Sequence, residues 1–158
     1  MSFLLSRVQS PNSEGRIQNI TPESAAWKHV GFDVFMLKAG QSLKQQTADR
    51  EVCLVLVTGR ASVKTSHESW GKLGERMSGF SEAKAAEGKP PYAVYVPNED
   101  RFEVEALSDL ELAVCSAPGK GSFPARLIRP ENMTYEKRGH GTNTRHICNI
   151  LPETADAD

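Results

Sequence analysis

Glu51-Val-Cys-Leu-Val-Leu-Val57 is the stretch on which the fold turns. It is a nearly continuous apolar run, and it reads as a strand buried on both faces. Thr58-Gly59 then turns the chain into residues 60–65, where Ala61, Val63 and Thr65 alternate with polar residues. Upstream, Val30, Phe32, Val34 and Met36 fall on one face of a strand that ends at Gly40. Downstream, Tyr92, Val94 and Val96 form another face, stopped by Pro97-Asn98. Phe102, Val104 and Ala106 alternate with Arg101, Glu103 and Glu105, which predicts one dry and one wet face. Asp109 turns into Leu110, Leu112 and Val114, and Pro118-Gly119 ends that segment. The single helix expected runs from Ser81 to Glu87, with Ser81 as N-cap and Gly88 closing it, as an excursion within a loop. No long helical period and no βαβ pattern occur. The fold class is therefore all-β, an antiparallel sandwich or barrel.

Length and charge narrow the function. A chain of 158 residues can build one ordinary core. Its 19 basic and 20 acidic residues nearly cancel and are mixed along the chain, so it has no basic surface for nucleic acid. Cys53, Cys115 and Cys148 are odd in number and lack a CxxC spacing, which argues against a disulfide framework or zinc site and for three small core residues. The apolar run in Met1-Ser-Phe-Leu-Leu-Ser-Arg7 is too short for a secretory signal or a membrane span, so a cytoplasmic location off the membrane is expected. The acidic end, Glu153 to Asp158, is expected to be disordered.

With Gly40, Gly59 and Pro97 at strand ends, this β pattern resembles a cupin. Cupins usually hold a metal in the barrel through segments of pattern G-x5-H-x-H-x3-E-x6-G and P-x-G-x2-H-x3-N. Neutral imidazoles and one carboxylate suit a divalent ion with open positions for substrate. Here the scaffold is kept without the ligands. Counted from Gly40, the histidine positions are Gln46 and Ala48, the glutamate position is Val52, and the second-segment histidine position is Phe102. Glu51 is one residue off, which points it to the opposite face of its strand. No metal site is expected in this domain. His29, His67, His140 and His146 do not share a ligand spacing. No G-x-S-x-G elbow or phosphate-binding glycine loop occurs.

Several segments together resemble one family. They are Ile20-Thr-Pro-Glu-Ser-Ala-Ala-Trp27, Glu51 to Val57, Trp70 through Gly74-Glu-Arg76, Pro90-Pro-Tyr-Ala-Val-Tyr-Val-Pro97 and Ala113-Val-Cys-Ser-Ala-Pro118. The most specific is Arg138-Gly-His-Gly-Thr-Asn-Thr-Arg-His-Ile-Cys-Asn-Ile-Leu-Pro-Glu153. The family is that of 5-deoxy-glucuronate isomerase, of bacterial inositol catabolism. The resemblance covers nearly the whole chain and implies a bicupin, in which residues 1–137 are a first cupin-like domain and 138–158 lead toward a second. It also implies that a divalent metal sits in that second domain, with no cofactor in this chain. The implied reaction is an aldose–ketose isomerisation of a small sugar acid, 5-deoxy-glucuronate to 5-dehydro-2-deoxy-gluconate. That reaction needs a base and an electrophile, and this segment supplies no such pair, so no catalytic residue is assigned.

A substrate carboxylate would suit an arginine fork, and Arg138 and Arg145, with Asn143 beside them, are the candidates. The competing reading is that residues 138–151 form a turn and strand that pack two cupins together. Ile147, Ile150 and Leu151 would then be an exposed apolar face and a route to self-association. The leading expectation is the non-metal half of the isomerase, inactive alone. The alternative is a free-standing sugar-acid-binding or regulatory cupin module.

Overall fold

A computed structural model describes residues 5–7, 9–78 and 90–158. The helix expected from Ser81 to Glu87 lies outside the described residues. Β-strands account for nearly all the regular structure, in the order β1 (Arg16–Ile20), β2 (Gly31–Leu37), β3 (Ser42–Gln46), β4 (Arg50–Thr58), β5 (Ala61–Thr65) and β6 (Ser69–Leu73). They continue as β7 (Tyr92–Val96), β8 (Arg101–Ala106), β9 (Leu110–Pro118), β10 (Arg126–Ile128), β11 (Thr134–Arg138) and β12 (Arg145–Asn149). One helical turn, α1 (Pro22–Ala25), separates β1 from β2. The Thr21 hydroxyl accepts from the Ser24 amide and the Ser24 hydroxyl accepts from the Thr21 amide, so the turn is capped reciprocally.

Two sheets face each other. One has six strands in the order β1-β2-β9-β4-β7-β10, the other four in the order β3-β8-β5-β6, and β11 and β12 form a separate hairpin. Each recorded strand pair is antiparallel. The main core fills the space between the sheets. Phe35, Leu37, Val52, Leu54 and Leu56 meet Leu43, Val63, Phe102 and Val104 there. The β4–β5 turn depends on Gly59, whose φ is +92° and whose added Cβ would lie 2.2 Å from the Asp109 carbonyl oxygen.

The reading of residues 51–57 as buried on both faces holds. Val52, Leu54 and Leu56 point into the main core, while Cys53 and Val55 pack against a second cluster on the outer side of the six-stranded sheet. That cluster is built on Ala93, Tyr95, Ile128 and Met133, and is covered by Cys148, Ile150, Leu151 and Ala157. The C-terminal hairpin and the chain after it thus close over one part of the sheet's outer face. Among the described residues, no helix is long and apolar enough to cross a membrane.

Candidate functional site

The end of the barrel where a cupin holds its metal is closed by apolar and neutral side chains. Val52 is 6% exposed and Phe102 is 2% exposed, both within the main core. Along the β3 segment the inward positions are Leu43, Gln45 and Thr47; Gln45 faces Phe102 across the β3–β8 ladder. Gln46 and Ala48 are exposed, so counting from Gly40 lands one residue off the inward parity. Neither frame brings imidazole or carboxylate inside. The residues present do not fit a metal at this position. No group of three or more His, Cys, Asp or Glu among the described residues could hold one elsewhere. His29, His67, His140 and His146 are all exposed and lie apart in the fold.

Thr47 is the buried polar residue at this end, and its bonds explain why it is tolerated. Its amide and hydroxyl both donate to the Asp100 carbonyl at 2.9 Å, and its hydroxyl accepts from the Asp100 amide at 2.8 Å. The Glu99 amide adds a bond to the Ala48 carbonyl at 2.6 Å. The loops after β3 and β7 are therefore stitched together across the barrel mouth.

Glu51 behaves as its parity requires. It lies on the outer face, where its Oε2 accepts from the Tyr95 hydroxyl at 2.8 Å and from the Asp158 amide at 2.9 Å. Burial first, and the Glu51 carboxylate second, push the Tyr95 phenol well above its ordinary value. The Asp158 carboxylate accepts from the Lys120 amide at 2.7 Å and the Ser122 amide at 3.2 Å. The acidic end expected to be disordered is instead pinned by these bonds.

Arg138 and Arg145 are direct cross-strand partners in the β11–β12 hairpin, and Asn143 lies in the turn between them. The three are therefore brought together, all exposed. The Arg138 guanidinium forks onto its own strand neighbour, with Nε and Nη2 donating to the Glu136 carboxylate at 2.9 and 2.8 Å. The Arg145 side chain forms no hydrogen bond or ion pair with another described residue. Ile150 and Leu151, expected to be exposed, pack against the second cluster instead.

Sequence reasoning missed a depression of about 540 Å³ over β3, β8 and β5. Lys44, Lys64 and Arg101 line it, with Gln46 and Glu103, and Lys44 pairs with Glu103 at 3.0 Å. Its size is in the range of small-molecule sites, and its charge suits an anion. The signal was the alternation of charged residues along β8, which by itself reads only as a wet face.

A family model described as the KduI/IolB family matches residues 4–158. The chain belongs to that family. The 5-deoxy-glucuronate isomerase of Geobacillus thermodenitrificans is 51% identical to this KduI/IolB chain, over 100% of the chain and 56% of the relative. That of Bacillus subtilis strain 168 is 35% identical, over 98% of the chain and 56% of the relative. An IolB-like protein from Salmonella typhimurium has the same fold, with a TM-score of 0.86 at 46% identity, matching 97% of this chain and 57% of that one. A mutant of Bacillus subtilis oxalate decarboxylase, 16% identical with a TM-score of 0.52, shares the fold alone. The fold is thus all-β and cupin-like, and the KduI/IolB chain spans a little over half the length of these curated relatives.

Proposed function

We propose that this chain is the non-metal first half of a 5-deoxy-glucuronate isomerase, which converts an aldehyde sugar acid to a keto acid. The carrying observation is the 51% identity to the Geobacillus thermodenitrificans enzyme over the whole of this chain. In this reading residues 1–137 form the first cupin and 138–158 lead toward the second. The chain's own contribution is structural. Its barrel interior offers Gln45, Thr47, Val52 and Phe102 where a metal-binding cupin would offer ligands. A divalent metal would be held by the second half, where it would supply the electrophile that the substrate carbonyl needs. Arg145, without a partner among the described residues, is the group of the hairpin best placed to meet a substrate carboxylate.

The test compares the 158-residue chain with a fusion in which it continues into the remaining share of the Geobacillus thermodenitrificans relative. The fusion should isomerise 5-deoxy-glucuronate. The chain alone should be slower by at least about a thousandfold, since loss of an electrophile commonly removes several kcal/mol of transition-state stabilisation. Robust turnover by the chain alone would refute the division of labour, and an inactive fusion would refute the reading as a whole.

The depression lined by Lys44, Lys64 and Arg101 favours a second reading, a sugar-acid-binding module. Binding of 5-deoxy-glucuronate to the chain alone, lost in Arg101→Ala, would carry that reading instead.

A further inference from the structure

The outer face of the six-stranded sheet carries two lateral rows of side chains. One runs Ile20, Phe32, Cys115, Cys53, Tyr95 and Arg126; the other runs Gln18, Val34, Ala113, Val55, Ala93 and Ile128. Directly paired residues share a face, so both rows point away from the main core. On the β4–β7–β10 side they are covered by Met133, Cys148, Ile150 and Leu151. On the β1–β2–β9 side Ser6 bonds to the Gln18 side chain at 2.9 Å and Ala113 is buried, but neither apolar cluster of the described residues includes Ile20, Phe32, Val34 or Cys115. Ile20, Phe32, Val34 and Cys115 are half-buried, and Met36 is 46% exposed.

The four-stranded sheet shows what a solvated face of this protein looks like. Its outer positions carry Lys44, Lys64, Arg101, Glu103 and Glu105. A sheet face that meets only water is normally polar in this way, and a contiguous apolar face marks an interface. The contrast between the two sheets singles out the β1–β2–β9 face.

We propose that this apolar face is the docking surface for the remainder of a family-length chain, an inference that rests on the reading above. Two observations select that occupant. The curated relatives extend well past the segment matched here, which is 56% of the Geobacillus thermodenitrificans protein. Residues 150–158 already lie on the same outer face, and Asp158 is held at Glu51 on β4, the strand beside β9. A continuing chain would therefore start beside rows that neither apolar cluster of the described residues reaches. Docking there would extend the cover that the hairpin and tail begin, through Val55 and Ala113, which are direct partners.

Cys115 reports on the face from inside it. Its alkylation by iodoacetamide, followed peptide by peptide by mass spectrometry, is measured in the 158-residue chain and in the fusion with the rest of the Geobacillus thermodenitrificans relative. The fusion should label at least about tenfold more slowly. Met36→Lys should return the fusion toward the rate of the chain, and the exposure of Met36 lets the domain accept the lysine. Equal rates in chain and fusion would overturn the docking surface, whether or not the fusion is active. Protection of Cys115 in an inactive fusion would sink the isomerase reading and keep the surface. Sedimentation of the chain alone completes the test. A dimer with Cys115 already protected, made monomeric by Met36→Lys, would assign the face to a second copy and overturn the proposal.

Discussion

Cys53 and Cys115 are direct partners across β4 and β9, both free thiols on the outer face. Burial, reinforced by the neighbouring Cys115, pushes the Cys53 thiol up to about 12. At pH 8 almost none of it is thiolate, the only nucleophilic form. Alkylation of Cys53 in the folded chain at pH 8 is therefore expected to be about a thousandfold slower than in the unfolded chain, where an ordinary thiol titrates near 8.5. Comparable rates in the two states would show that the residue is not buried as described. The alternation of residues 51–57 made much of this legible, because it set which residues share a side of β4. It also placed Glu51 opposite the barrel interior, which the bond to Tyr95 bears out. The expectation that all three cysteines are core residues holds in part: each is half-buried, and Cys53 and Cys148 pack against the second cluster while Cys115 belongs to neither. Periodicity assigns a face, and how completely that face is covered depends on elements distant in sequence.

At the scale of elements, the hairpin of β11 and β12 and the residues after it divide into two roles. Ile147 belongs to neither apolar cluster, whereas Ile150 packs against the one built on Tyr95 and Met133. A lysine at Ile150 would place a charge against that cluster, so Ile150→Lys should cost about 2 kcal/mol. Ile147→Lys should stay within about 1 kcal/mol. Urea unfolding of the two variants checks the order, and the reverse order would mean that the hairpin docks differently. The strands legible in advance were those with a sustained apolar pattern, β2, β4, β5, β7, β8 and β9. Those that escaped had reasons to. In Ser42–Gln46 only Leu43 is apolar, and Ser69–Leu73 contains Gly71 and a Lys72 with φ of +52°. Such strands are held by their neighbours' ladders and carry little pattern of their own.

At the scale of the whole molecule, the tail is the part sequence could not place, because six polar or small residues from Glu153 onward look the same docked or free. Hydrogen bonds from Ser122, and from the Lys120 and Gly121 backbone, hold the Asp158 carboxyl down to about 2 against a push upward from burial. A depressed carboxylate contributes above its unfolded value of 3.8, and that contribution is lost as the pH falls toward 2. The amide signals of Lys120 and Ser122 should accordingly titrate by NMR with a midpoint near 2. A midpoint close to 4, the ordinary value for an aspartate, would mean that the clasp does not form. The stitched barrel mouth has a different kind of consequence, for anyone who would rebuild a catalytic centre in this half. Writing histidines and a glutamate into positions 46, 48, 52 and 102 would restore the motif on paper and leave it scattered in space. Gln46 looks outward, Ala48 sits at a φ of +49° that a bulky side chain resists, and only Val52 and Phe102 look in. A transplant would have to move the strand by one residue before it could change a single side chain to any purpose.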